Sequence, residues 1–275
     1  MRSITLLAAT LTVGLTVSNF AAAAEEPASP HSFTGNVGLF SQYVFRGLAQ
    51  TNEEVALQGG FDYSHSVGIY AGLWGSNISW LRDAGAYKAG GSAEIDLYAG
   101  YKGAAGDFSY DLGVLQYWYP GDPADGFVKA DTTELYLAGG WKWFTLKYSN
   151  AVSKKVFGVR DARGTDYWDL SAAFPVGESG VTVGAHYGIQ KFKGTDPALV
   201  GIGSNDSVYS YEDWRVSVAY DLGKLGPKLA GTEVGLIYTD TGGASKLGFG
   251  SVSEGGVYPK NIAKDQVTAY LKRTF

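Results

Sequence analysis

The chain has 275 residues, no cysteine, 39 glycines, 19 tyrosines against 13 phenylalanines, and a formal charge of −5 at pH 7. The lack of cysteine excludes disulfides, thiolate metal sites, a cysteine nucleophile and a cysteine-borne lipid anchor. The acidic balance offers no basic cluster to neutralise phosphates, so no nucleic-acid partner is expected. Mean hydropathy is close to zero. That value is compatible with a membrane barrel, whose strands need only alternate residues to be apolar.

In chain order, residues 1–24 read as a secretory signal peptide. Arg2 supplies the positive start, Ile4 to Val17 the apolar stretch, and Ala21 to Ala24 small residues for cleavage before Glu25. Residues 25–32 read as a flexible, polar lead-in. From Phe33 onward, apolar and polar residues alternate with period 2, which puts one set on each face of a strand. Val37, Leu39, Tyr43 and Phe45 oppose Asn36, Gln42 and Arg46; Val55, Leu57, Phe61 and Tyr63 oppose Gln58, Asp62 and Ser64. These runs last about ten residues, the length that tilted strands need to cross a bilayer.

The same pattern recurs to the C-terminus. Ile95, Leu97 and Tyr101 oppose Glu94, Asp96 and Lys102; Tyr110 and Leu112 oppose Asp111; Leu135 and Leu137 oppose Glu134; Leu146 and Tyr148 oppose Lys147. Farther on, Trp168 and Leu170 oppose Asp169, Tyr187 and Ile189 oppose His186, and Trp214 and Val216 oppose Asp213 and Arg215. The reading totals twelve strands, an even number as bacterial outer-membrane barrels have. Long connections (47–53, 79–91, 120–132, 151–165, 191–210, 241–264) alternate with short ones, as extracellular loops alternate with periplasmic turns. The polar face carries too many charges for a dry sandwich core. A closed barrel with an apolar exterior and a wet interior resolves this, because closure also pairs every strand edge.

Candidate chemistry is sparse. His186 is the one histidine on an inward face, with no GxSxG or HExxH motif beside it; a hydrolase using it requires a serine within its reach. The glycine pairs, such as Gly59-Gly60 and Gly139-Gly140, lack the following helix of a dinucleotide fingerprint. Asp122, Asp125 and Asp131 do not have EF-hand spacing. No catalytic residue, cofactor or metal is therefore expected. Aromatics near strand ends (Phe45, Trp74, Trp80, Tyr117, Trp118, Tyr119, Trp141, Trp143, Trp168, Tyr211, Trp214, Tyr238) read as interfacial girdles.

The runs GNVGLFSQYVFRGLAQT and ALQGGFDYSHSVGIYAGLWGSN, with Tyr43, Arg46 and Gly47 and then Gly68 to Trp74, resemble the opening of the TorF family of porin-like proteins, also known as Gcw-type bacterial proteins of unknown function. EIDLYAGY (Glu94 to Tyr101) and the final Phe275 fit as well. The resemblance implies an outer-membrane β-barrel and, less directly, a pore. The expectation is an all-β, closed antiparallel transmembrane barrel over residues 33–275, exported to the outer membrane of a Gram-negative bacterium and conducting small solutes passively. Its lumen would present Arg46, Asp62, Glu94, Asp96, Lys102, Asp111, Glu134, Lys147, Asp169, Asp213 and Arg215. Seven acids against four bases point to a mild cation preference. Phe275 would be read by the barrel-assembly machinery, and membrane lipid would be the other partner. The alternatives are a plugged, non-conducting barrel whose loops bind a ligand, with 191–210 as a loop that folds in, and a soluble periplasmic β-protein.

Overall fold

The computed structural model describes residues 29–275, so the expected signal peptide and the start of the lead-in lie outside the described residues. The strands, in order, are His31–Phe40 (β1), Val44–Phe45 (β2), Leu48–Ala49 (β3), Ala56–His65 (β4), Ile69–Asn77 (β5), Tyr87–Gly90 (β6), Ala93–Ala105 (β7) and Phe108–Trp118 (β8). They continue as Gly121–Pro123 (β9), Thr132–Trp141 (β10), Phe144–Ala151 (β11), Asp166–Pro175 (β12), Val181–Lys191 (β13), Tyr211–Asp221 (β14), Thr232–Gly242 (β15) and Gln266–Thr274 (β16). Twelve of them close into one antiparallel barrel in simple up-and-down order, and β1 meets β16 at the seam. Backbone bonds between Gly35 and Phe275, at 2.8 and 2.9 Å, finish that seam. Every wall strand thus has two neighbours and no edge faces the surroundings.

The alternation sets the two faces as the sequence indicates. Leu57, Phe61, Leu97, Leu112, Leu137, Leu170 and Leu271 all point out and are exposed. Such an apolar belt belongs in hydrocarbon, not in water. The start of β1, the C-terminal Phe275 and the short turns lie at one rim; the six long loops lie at the other.

The structure differs from the sequence reading in three places. First, β1 begins at His31, inside the supposed lead-in, because His31 pairs with His65. Second, β1 ends at Phe40; the apparent extension through Tyr43 and Phe45 is a separate hairpin, β2–β3, that leaves the wall. Third, the aromatic girdle is only half of the set. Trp118, Trp141, Trp143, Trp168 and Trp214 face outward, whereas Trp74, Tyr117, Tyr119 and Tyr211 are buried, and Phe45 and Trp80 pack among the interior aromatics. Strand parity explains the split: Trp74 shares its face with Tyr70 and Ser76, and both of those point inward.

Interior tyrosines explain why Tyr outnumbers Phe. Five of them, Tyr70, Tyr98, Tyr136, Tyr167 and Tyr270, each lie against a glycine of the adjacent strand, where a side chain would intrude. Tyr70 covers Gly100 and Tyr167 covers Gly188. The ring fills the notch and the hydroxyl then reaches a polar partner in the lumen.

Candidate functional site

The site is built around the β2–β3 hairpin, which projects into the bore from between β1 and β4. Its two-residue turn is Arg46-Gly47, with φ of 45° and 80°. Positive φ at both central residues is what a type I′ hairpin turn requires, and it matches the twist of the two strands. An arginine in this region is uncommon. It is held there by what its side chain finds. Arg46 Nη1 donates to Glu134 Oε1 at 3.0 Å and Nη2 donates to Glu134 Oε2 at 2.7 Å, a bidentate pair. Nη1 also donates to Gln190 at 2.9 Å, and the guanidinium carbon lies 4.2 Å from the Tyr167 ring centroid. Gly47 is pressed against Asp213 and Thr241, leaving no room for a Cβ. The hairpin therefore spans the bore, from its root beside β1 to β10, β13 and β14.

Behind it, the Tyr43 hydroxyl donates to Glu94 at 2.9 Å and its ring meets Trp74 edge-on at 5.5 Å. At this level the interior is filled. Glu94 and Asp96 are 1% and 0% exposed, and Glu134, Gln190, Tyr117 and Tyr119 are equally enclosed. Both oxygens of Asp96 lack a hydrogen-bond partner among the described residues.

All eleven residues expected in the lumen lie on the less exposed face of the chain, and they fall into two groups by burial. Glu94, Asp96, Glu134, Asp169 and Asp213 are sealed, with the Arg46 side chain among them. Asp62, Lys102, Asp111, Lys147 and Arg215 are only half-buried. Arg46 is the one whose origin differs from expectation, coming from the inserted hairpin and not from a wall strand. Tyrosines serve five of the seven acids: Tyr98 donates to Asp62 at 2.6 Å, Tyr43 to Glu94, Tyr70 to Asp111 at 2.5 Å, Tyr117 to Glu134 at 3.3 Å and Tyr167 to Asp213 at 2.7 Å. Lys102 stands directly across from Asp111, and Lys147 from Asp169.

His186 does have a serine within reach: Ser171 Oγ is 3.1 Å from Nδ1. The serine proton, however, goes to Asp169 Oδ1 at 2.5 Å, and the same carboxylate faces Nδ1 at 3.1 Å. Nε2 faces Asp213 at 3.0 Å. With a carboxylate at each ring nitrogen and the serine hydroxyl committed elsewhere, the imidazole braces β12, β13 and β14 and is not set to activate Ser171.

Sequence reasoning missed Tyr43, Tyr167 and Gln190 as partners of Arg46 and Glu94. One signal was available: the run from Phe33 to Gly47, fifteen residues ending in Arg-Gly, exceeds a barrel strand of roughly 9–11 residues and ends on a turn dipeptide. The loop expected to fold in, 191–210, contributes walls to the mouth through Phe192 and Tyr209; the hairpin is what crosses the bore.

Outside the membrane-spanning wall, Glu53 ties the root of the hairpin loop to the last loop through Lys264 at 2.6 Å and Lys260 at 2.9 Å. Hydrogen bonds from Lys264 and then Lys260 hold its carboxyl below the ordinary range. A depressed folded-state pKa gives stability that is present above the unfolded pKa and lost as pH falls through the folded one. We expect Glu53→Gln to increase proteolytic nicking within 41–55 and 243–265 at neutral pH. The same loosening should appear in the parent as pH drops below the carboxylate range. The effect is small, at most about 1 kcal/mol for a pair this exposed; identical nicking rates for both proteins would remove the tether.

A closed antiparallel barrel with an apolar outer belt, an ionised interior and long loops on one rim is an outer-membrane β-barrel of the porin type. The model of a family described as bacterial protein of unknown function (Gcw_chp) matches residues 24–275, and the chain belongs to that family. Among solved structures, the KdgM porin superposes with a TM-score of 0.51 at 8% identity, over 88% of this chain and 99% of its own. The NanC porin gives 0.48 at 10% identity over 89% and 99%, and OprD from Pseudomonas aeruginosa gives 0.42 at 14% over 88% and 65%. No curated protein matches the sequence.

Proposed function

We propose that the protein is an outer-membrane conduit for small solutes whose bore is closed by the β2–β3 hairpin and opens when Arg46 leaves Glu134. The single observation that carries this reading is the bidentate Arg46–Glu134 pair, which joins a loop to the far wall across an interior that is otherwise polar. The hairpin's tip is held by Arg46 on Glu134 and Gln190 and by Gln266 Nε2 donating to the Gly47 carbonyl; none of these is a backbone bond between wall strands, so the tip can be withdrawn with the barrel closed. Small solutes would be its cargo, and the assembly machinery would recognise its last strand at Phe275.

The lumen charge supports a cation preference. Tyrosine hydroxyls satisfy the carboxylates as hydrogen-bond acceptors without cancelling their charge, so the acids keep a negative field in the bore. Asp96 and Asp169 are poor positions for testing this, because both are sealed. Asp62 and Asp111 are only half-buried, so a passing ion can approach them. In planar bilayers under a salt gradient, Asp62→Asn with Asp111→Asn should move the reversal potential toward zero, with the conductance steps retained. An unchanged reversal potential would end the cation-preference reading.

The burial of the hairpin favours a second reading, a permanent plug in a barrel that works through its loops. That reading expects protein that inserts, shows heat-modifiable migration, and stays electrically silent even when the Arg46–Glu134 pair is removed.

A further inference from the structure

Glu94 and Asp96 stand on the same face of β7, 1% and 0% exposed. Glu94 Oε1 accepts from the Tyr43 hydroxyl at the root of the hairpin. Its Oε2 and both oxygens of Asp96 are sealed and have no hydrogen-bond partner among the described residues. The titratable and charged groups that face Asp96 are Glu94 and Tyr98 on β7 itself, Tyr43 and Arg46 from the hairpin and its root, Tyr117 and Tyr119 at the loop end of β8, and Glu134 on β10. Across the ladder on β5 the partner is Trp74, which carries no charge. Arg46 is the one cation of this set, and its donors are taken by Glu134 and Gln190. We propose that the docked hairpin holds a proton at Asp96 and releases it on withdrawal, so that acid keeps the bore closed and alkali opens it. The inference rests on the latch reading above and supplies its trigger.

An ionised carboxylate buried with neither a counter-charge nor a hydrogen-bond donor is so unfavourable that such a group takes up a proton instead. Nothing larger serves here. A metal ion needs several oxygens and room beside them, and these oxygens are shut off even from water. No cluster of three or more His, Asp or Glu among the described residues could hold a metal ion. Withdrawal of the hairpin takes Tyr43 and Arg46 away from this corner and opens it to the bore. Asp96 is then hydrated, and water favours its charged form. The docked state thus binds one proton more than the withdrawn one. A state that binds more protons gains population as pH falls and loses it as pH rises, by up to about 10-fold per pH unit for a single proton.

The refolded barrel is followed from about pH 5 to about pH 9, the span in which buried carboxylic acids ionise, by proteolytic nicking within 41–55 and by planar-bilayer recording. Nicking is expressed relative to Arg46→Ala at the same pH, so that the protease's own pH dependence divides out. In the parent, nicking and open probability should both rise with pH, by up to about 10-fold per unit over part of the span. The Glu53 carboxyl, held below the ordinary range, is ionised throughout and adds no slope. Asp96→Asn keeps the shape and removes the ionisable group, so both profiles should become flat with the hairpin docked. Asp96→Leu takes its place should that variant not show heat-modifiable migration. At neutral pH the parent should also show the infrared carbonyl band of a protonated carboxylic acid, with a component that either substitution removes. A flat parent profile, a slope that survives substitution, or an infrared band unchanged by it overturns the proposal. Nicking that follows pH in an electrically silent barrel leaves the proton link standing and removes the conduit. A flat profile alongside conduction by Arg46→Ala removes the proton link alone.

Discussion

Arg46→Ala should convert a quiet or low-conductance barrel into an open one, with single-channel conductance rising several-fold and steps becoming frequent. The substitution removes both donors to Glu134 and the cation over Tyr167. It leaves Glu134, which is 2% exposed, as a buried charge without its partner. Breaking such a pair by deleting one member costs about 3–5 kcal/mol. The barrel wall does not depend on the hairpin for its ladders, so the penalty falls on docking of the hairpin, which swings out. Relaxation of the Arg46 backbone from φ of 45° acts in the same direction. A double-mutant cycle isolates the pair. Glu134→Ala combined with Arg46→Ala removes the stranded charge, so the thermal midpoint should recover most of the loss while conductance stays high. Conductance that is unchanged in all three variants, with nicking within 41–55 no faster than in the parent, would show that the hairpin is not a latch.

The elements by which the sequence resembles its family turn out to be one contact set. Tyr43, Arg46 and Gly47 form the hairpin; Trp74 from the second element packs on Tyr43; Glu94 from the third accepts the Tyr43 hydroxyl. Residues that look like a strand signature are the parts that fill the bore.

How much of this could be read from the sequence follows from what sets each feature. The wall was legible because side-chain direction in a strand has period 2, so Glu94 and Asp96 on one face and Leu97 on the other declare interior and exterior without knowledge of neighbours. Loop lengths gave both rims for the same local reason. The hairpin was barely legible, since Tyr43 and Phe45 keep the parity of Val37 and Leu39, and only the excess length of the run and its Arg46-Gly47 end hint at a break. Only the partners on β10 and β13, some 90 and 144 residues away along the chain, determine that these residues turn inward. The aromatic girdle failed on the same ground. Trp74 and Trp168 are identical side chains at comparable positions in their strands, and only parity relative to the closed barrel separates one that lines the lumen from one that meets lipid. The loop-side cavity lined by Phe45, Trp80, Tyr119, Phe157, Phe192 and Phe249 was invisible because it draws rings from six loops whose mutual positions no local pattern encodes.

The outward face itself can be tested by depth. Leu137 sits mid-strand on β10, 60% exposed, flanked across the ladders by Leu112 and Tyr148. Phe108 is on the same outward face, 63% exposed, but begins β8 beside the short turn at the periplasmic rim. In hydrocarbon an arginine at the midplane costs about 2–4 kcal/mol, falling to about 0–1 near the interface, where the chain snorkels to water. Leu137→Arg should therefore destabilise the barrel by about 2–4 kcal/mol and Phe108→Arg by about 1 kcal/mol or less, measured by urea unfolding in lipid vesicles. In water the two surfaces would be equivalent, and arginine at an exposed strand position changes stability by at most about 0.5 kcal/mol. Equal, small effects at both positions would therefore mean that the apolar belt does not face lipid. The outer-membrane assignment and the latch would then both need another setting. A gap between the two positions ties the alternation seen in the sequence to the bilayer, because depth in hydrocarbon is what makes an arginine on this face cost several kcal/mol.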